Sequence, residues 1–202
     1  MTLFYLFYVE QTMRIYPIIN LKPSEIVDVN LLKDIFQVNP DYIQLRIKDG
    51  VYRDFEDNFE IISKTKETSM ADTRIFINDM PDFAEKLGAC GVHIGYEDAR
   101  PDYLRKNYPN LAIGWSTHTL DQILEANILP VEYIGFGPCF KTNSKNTLWP
   151  EVFDLVNKAV TISQNPIVFI GGITTENYEQ LPISDKNYFA VISALPQFLR
   201  GE

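Results

Sequence analysis

The chain has 202 residues, of which 46% are hydrophobic and 22% charged. That is an ordinary globular balance, with room for one domain and a sizeable core. Its net charge of −9 leaves no basic footprint for nucleic acid or an anionic membrane, so any anion the chain binds must be held locally. Cys90 and Cys139, its 2 cysteines, have no metal-like spacing and read as buried free thiols of a protein in the reducing cytoplasm.

Residues 3–9 form a largely apolar run. The run is well short of the ~20 residues of a membrane span and lacks the basic start and cleavage site of a signal peptide. Residues 1–13 therefore read as an apolar extension leading into a domain at 14–202. From there strand-like runs are predicted at 15–19, 42–47, 74–77, 91–94, 112–115, 133–136, 167–170 and 188–192. Helical periods fall between them at 25–36, 52–67, 81–87, 101–107, 120–128 and 150–163, with a short one near 175–180 and a cut-down last helix at 196–202. Strand followed by helix, repeated to eight strands, predicts an α/β fold: a single-domain (β/α)8 TIM barrel with a shortened final helix. An open doubly wound sheet is the fallback. No Gly-x-Gly-x-x-Gly follows the first strand, which counts against a dinucleotide fold.

In such a barrel chemistry gathers at the carboxyl ends of the strands. In the second strand Gln44, Arg46 and Lys48 alternate with Ile43, Leu45 and Ile47. A period of two sends the polar set into the barrel mouth, where two cations are costly to bury without an anionic ligand. The third strand stops at Asn78 and Asp79, and the fourth is followed by Gly95 and Asp98. Two carboxylates at one sheet edge suit Mg²⁺, although two such acids taken alone are also what solvated loops contain. His93 lies between Val92 and Ile94 and reads as a satisfied core residue, whereas the role of His118 stays open. Ser116 is placed to hydrogen-bond a ligand, while Thr117 or Thr119 serves equally well as a helix cap. The stretch 135–145 ends in Thr142, Asn143, Ser144 and Lys145, and with its glycines it offers donors and charge to phosphate oxygens. Gly171 and Gly172 after strand seven, and Ile192 and Ser193 after strand eight, occupy the usual phosphate position of barrels. Two anion sites thus face one mouth, an arrangement suited to joining two phosphorylated small molecules with metal-assisted loss of a phosphate group.

Seven stretches in order, QLRIK (44–48), FIND (76–79), GVHIGYED (91–98), GWSTHT (114–119), YIGFGPCFKTNSK (133–145), IGGI (170–173) and AVISAL (190–195), make the chain resemble the thiamine phosphate synthase family, which also contains the thiazole tautomerases. The resemblance implies a transferase that condenses 4-amino-2-methyl-5-hydroxymethylpyrimidine diphosphate with thiazole phosphate through a pyrimidine carbocation, giving thiamine phosphate and pyrophosphate. It further implies that Arg46, Lys48, Asn78 and Lys145 hold pyrophosphate and that Asp79 and Asp98 hold Mg²⁺. Gln44 and Ser116 would orient the pyrimidine, and Thr142 and Ser144 would line the thiazole side. The amides around Gly172, Ile192 and Ser193 would take the thiazole phosphate. Two departures from the family pattern stand out. Ile47 replaces the usual Glu, on the side facing away from the mouth, and Ser144 replaces a Thr while keeping its hydroxyl. The competing readings are a thiazole tautomerase, a non-catalytic phosphate-binding barrel and another sugar-phosphate barrel enzyme. The shortened last helix should expose apolar wall beside the first strand, to be covered by residues 3–9 or by a second copy of the chain in a homodimer.

Overall fold

The computed structural model of the chain describes residues 14–140 and 152–201. Within them eight parallel strands close into a barrel in sequence order: β1 (Ile15–Leu21), β2 (Tyr42–Ile47), β3 (Arg74–Asn78), β4 (Gly91–Ile94), β5 (Ala112–Thr117), β6 (Tyr133–Phe136), β7 (Ile167–Phe169) and β8 (Tyr188–Val191). The ring is shut by β8 lying along β1, with Tyr16 opposite Ala190. Helices α1 (Val29–Val38), α2 (Tyr52–Thr68), α3 (Pro81–Leu87), α4 (Pro101–Asn107), α5 (Leu120–Ala126) and α6 (Val152–Ile162) connect the strands up to β7. The fold is the expected TIM barrel. The extension at residues 1–13, and with it the proposed cover from residues 3–9, lies outside the described residues.

Strand periodicity divides the core in two. Ile43, Leu45 and Ile47 are buried in the outer cluster between sheet and helices, whereas Tyr42 joins Tyr16, Phe76, Tyr133, Tyr188 and smaller side chains in a second cluster that fills the lumen. Ile47 therefore packs outward, as its position in β2 predicts. So many aromatic rings fit inside the lumen because the neighbouring strands are bare where the rings pass. A Cβ on Gly114 would lie 2.2 Å from Tyr133 Cζ, and one on Gly91 would lie 2.4 Å from Phe76 Cε1.

The largest departures from a regular barrel come late in the chain. The crossover from β7 to β8 is only a 3-10 turn, Tyr178–Gln180, and the last helix, α7 (Leu195–Arg200), has 6 residues. The short helix nonetheless covers part of the wall beside β1. Leu195 and Phe198 are buried, α7 touches α1, and the Phe198 ring lies 5.2 Å from Phe189 and 5.3 Å from Tyr178. At the other end of the chain α1 starts at Val29, later than periodicity suggests. Asp28 caps it by accepting from Asn30 N at 2.8 Å, and residues 22–25 are held in a turn by Glu25 N donating to Lys22 O. One reading needs correction. Cys139 is buried, but Cys90 is exposed, because it sits in the linker between α3 and β4 rather than inside the strand.

Candidate active site

The carboxyl ends of the strands surround a cavity of about 550 Å³. Its wall includes Asn20 from β1, Gln44 and Arg46 from β2, Asn78 and Asp79 at the end of β3, His93 and Asp98 around the end of β4, and Ser116 from β5. Tyr16 and Tyr133 rise into it from the lumen cluster, and Ile192 lines it just beyond β8.

On the polar side Arg46 Nη1 donates to Asn20 Oδ1 at 2.5 Å, which steers the guanidinium along the top of β1. Asn78 Nδ2 donates to Asp79 Oδ2 at 2.5 Å, and Asp79 N donates to the His93 carbonyl at 2.8 Å. Asp79 is held at φ 61°, a left-handed conformation that Asp adopts more readily than most residues but still at some cost. Asp98 accepts from Gly95 N at 3.0 Å, which folds its carboxylate back over the end of β4. The Asp79 carboxyl is raised above its ordinary value by desolvation first and by the charge of Asp98 second, with Asn78 and Arg46 working the other way. The charge of Asp98 therefore reaches the Asp79 carboxyl.

This donor set fits Mg²⁺. The cation takes one or two carboxylates and fills its remaining positions with water and phosphate oxygens, and mutual repulsion between two acids is what a divalent cation relieves. Among the described residues no cluster of 3 or more His, Cys, Asp or Glu side chains could cage a metal on its own.

Below the acids the wall is neutral. Half-buried His93 is lowered to about 4 by desolvation, so its imidazole carries no charge at neutral pH. Both of its ring nitrogens have partners, with Nδ1 3.1 Å from Tyr133 Oη and Nε2 3.0 Å from Ser116 Oγ. His93 is satisfied, as its sequence context suggests, but it belongs to the cavity wall rather than to the closed core. The signal for this was its parity: Val92 and Ile94 belong to the outer cluster, so His93 must face the other way. Asn20, Tyr16 and Tyr133 were also missed as wall residues, and the same alternation points to them.

The remaining candidates fall into three groups. Lys48 is exposed and lies just past the end of β2, so inward alternation holds for Gln44 and Arg46 only. Gly172 follows β7 at φ 65°, and Ile192 and Ser193 follow β8, so all three stand at the carboxyl ends of adjacent strands. Thr142, Ser144 and Lys145 lie outside the described residues. Of the threonines after β5, Thr119 caps α5 by accepting from Gln122 N, and Thr117 donates to the Gly135 carbonyl. His118 Nδ1 lies 2.8 Å from the Gly137 carbonyl.

The fold and this cavity define a barrel enzyme whose polar chemistry is gathered at the strand carboxyl ends. The chain matches the family described as thiamine monophosphate synthase over residues 15–195, and it belongs to that family. It is 34% identical over 158 residues to a thiamine-phosphate synthase of a Hydrogenobaculum species, covering 77% of this chain and 72% of that protein. It is 33% identical over 176 residues to the thiamine-phosphate synthase of Pyrococcus abyssi, covering 87% of this chain and 82% of that one. A thiamine phosphate pyrophosphorylase structure from Pyrococcus furiosus superposes with a TM-score of 0.74 at 26% identity, covering 92% of this chain and 88% of that one.

Proposed function

We propose that this chain is a transferase that joins 4-amino-2-methyl-5-hydroxymethylpyrimidine diphosphate to thiazole phosphate, releasing pyrophosphate and forming thiamine phosphate. The observation that carries the reading is the division of the cavity wall, with Asp79, Asp98, Asn78 and Arg46 at the mouth and neutral Ser116 and His93 below them. In this reaction the carbon–oxygen bond of the pyrimidine breaks, its electron pair leaves with pyrophosphate, and the thiazole nitrogen lone pair closes on the resulting carbocation. The leaving group needs positive charge and donors, which Arg46 and Asn78 supply from the wall and Lys48 adds from just past β2, with Lys145 assigned the same role by the family resemblance. Mg²⁺, held by Asp79 and Asp98, would neutralise charge on the departing pyrophosphate. Gln44 and Ser116 orient the pyrimidine, the backbone at Gly172, Ile192 and Ser193 takes the thiazole phosphate, and the family resemblance assigns Thr142 and Ser144 to the thiazole. A neutral floor keeps His93 from competing as a cation for the pyrophosphate.

No helix among the described residues is long and apolar enough to cross a membrane. A cytoplasmic setting belongs to the same proposal and is supported by two unpaired cysteines. So does a homodimer across the wall beside β1, which sedimentation at micromolar concentration would read. The decisive experiment supplies both phosphorylated substrates with Mg²⁺ and follows thiamine phosphate and pyrophosphate together. Equal amounts of the two support the reading, whereas no product from a folded protein removes it.

A further inference from the structure

We infer that Gln44, Tyr16, Tyr133 and His93 form a one-way hydrogen-bond chain that turns the proton of Ser116 away from His93, so that the serine hydroxyl keeps its hydrogen free to donate into the cavity. The links are short and continuous. Gln44 Nε2 donates to Tyr16 Oη at 3.3 Å, Tyr16 Oη meets Tyr133 Oη at 2.5 Å, Tyr133 Oη meets His93 Nδ1 at 3.1 Å, and His93 Nε2 meets Ser116 Oγ at 3.0 Å. Gln44, Tyr16 and Tyr133 are buried at 3%, 1% and 0% exposure, so each hydroxyl must find its partner within the chain.

Counting protons gives the direction. Each phenol has one hydrogen to donate, and an amide nitrogen can only donate. Tyr16, accepting from Gln44, gives its hydrogen to Tyr133, and Tyr133 gives its own to His93 Nδ1. Nδ1 is thereby the acceptor, the imidazole proton sits on Nε2, and Nε2 donates to Ser116. The serine lone pair facing His93 is then occupied, and its hydrogen is left for the ligand. The reverse order would require the Gln44 amide to present oxygen to Tyr16, and Ser116 would then offer the cavity a lone pair.

The surroundings hold the relay in place. The His93 and Tyr133 rings are stacked at 11°. A Cβ on Gly114 would lie 2.4 Å from Tyr133 Oη and 2.7 Å from His93 Nδ1, so a larger residue there would break the central link. His93, Tyr133 and Tyr16 are thus positioning residues acting through Ser116. The group this hydrogen recognises is an atom with a free lone pair, which in the proposed reaction is a ring nitrogen of the pyrimidine. That identification rests on the function proposed above, whereas the direction of the relay does not.

The test begins with the full-length chain labelled with ¹⁵N-histidine. It has 2 histidines, and a His93→Asn variant assigns the signals. The expected spectrum shows His93 protonated on Nε2 and bare on Nδ1, shifting towards mixed tautomers in Tyr133→Phe and Tyr16→Phe. A wild-type Nδ1–H tautomer overturns the inference and needs no variant to be read. Kinetics form the second arm. Tyr133→Phe should lower kcat/KM roughly 10-fold, the scale of one hydrogen bond, and should have less than about a 2-fold effect in a Ser116→Ala background. A full additional loss in that background assigns Tyr133 a role independent of the serine and overturns the inference. Tyr16→Phe supplies the same cycle if Tyr133→Phe does not fold. Wild-type protein that makes no thiamine phosphate removes the proposed function, while the tautomer still reports on the relay.

Discussion

Asp79 concentrates the conflict between folding and function at a single residue. Its backbone is left-handed at φ 61°, and its carboxyl is raised by desolvation and by Asp98. A folded-state carboxyl above its unfolded value binds its proton more tightly when folded, so stability falls as pH rises from the unfolded value through the folded one, and the deficit persists at neutral pH. Asn is at least as well suited to the left-handed region and carries no charge. Asp79→Asn is therefore expected to raise the metal-free melting temperature at pH 7 by about 1–2 °C while lowering Mg²⁺-dependent turnover by at least ~100-fold. The stabilisation should shrink as pH falls through the carboxylate range, where Asp79 itself becomes neutral. Calorimetry at several pH values alongside the product assay checks both halves. Asp98 is exposed and makes one turn hydrogen bond through Oδ2. Asp98→Ala should accordingly cost less than about 1 kcal/mol of stability, with a loss of turnover as large as that of Asp79→Asn. Equal damage to both would make Asp98 structural.

At the scale of elements, the strands were readable wherever alternation was strong. β2 announces itself because Ile43, Leu45 and Ile47 separate Gln44 from Arg46, and the structure buries the first three against helices while placing the other two in the cavity wall. Other features depend on partners distant in sequence. His93 takes its place in the wall through Tyr133, which is 40 residues away, and no local pattern around His93 names that partner. The start of α1 was misread because two signals compete over residues 25–29, apolar periodicity and the Asp28 cap, and the cap prevails. The final helix is the case with an energetic consequence. A helix of 6 residues has no stability of its own, so α7 exists because Phe198 is buried at 5% exposure against Phe189 and Tyr178. Phe198→Ala should cost about 3–4 kcal/mol in chemical denaturation. Since Ile192 and Ser193 lie between β8 and α7, it should also raise the KM for thiazole phosphate more than that for the pyrimidine substrate.

Across the whole molecule the two ends of the barrel carry different tasks. The mouth holds the acids, Arg46 and the relay below them, whereas the opposite end is closed by pairs that touch no part of the cavity. Arg74 Nη1 donates to Glu132 at 2.6 Å, its guanidinium also meets the Tyr42 hydroxyl, and it lies 4.3 Å from the centre of the Tyr42 ring. Arg14 bonds Asp41 at 2.9 Å and the Tyr188 hydroxyl at 3.0 Å. Arg74 is pushed above its ordinary value by Glu132 and Tyr42 despite desolvation acting against it. With side-chain exposures of 41% for Arg74 and 36% for Glu132, solvent screens much of that attraction. What remains is a part-screened ion pair, a cation over an aromatic face and the packing of the arginine stem, together about 1–2 kcal/mol. Arg74 also opens the strand that ends at Asn78, next to Asp79, so the strand is the route by which a loosened base would reach that acid. The ladder of β3 with β2 and β4 makes that transmission weak: Phe76 and Ile77 are paired on both sides between Arg74 and the acids. Arg74→Ala is therefore expected to lower the melting temperature by about 2–8 °C and leave kcat/KM for both substrates within about 2-fold. A turnover loss as large as that of Asp98→Ala, at a temperature where the variant is fully folded, would mean that the base of the barrel sets the geometry of its mouth.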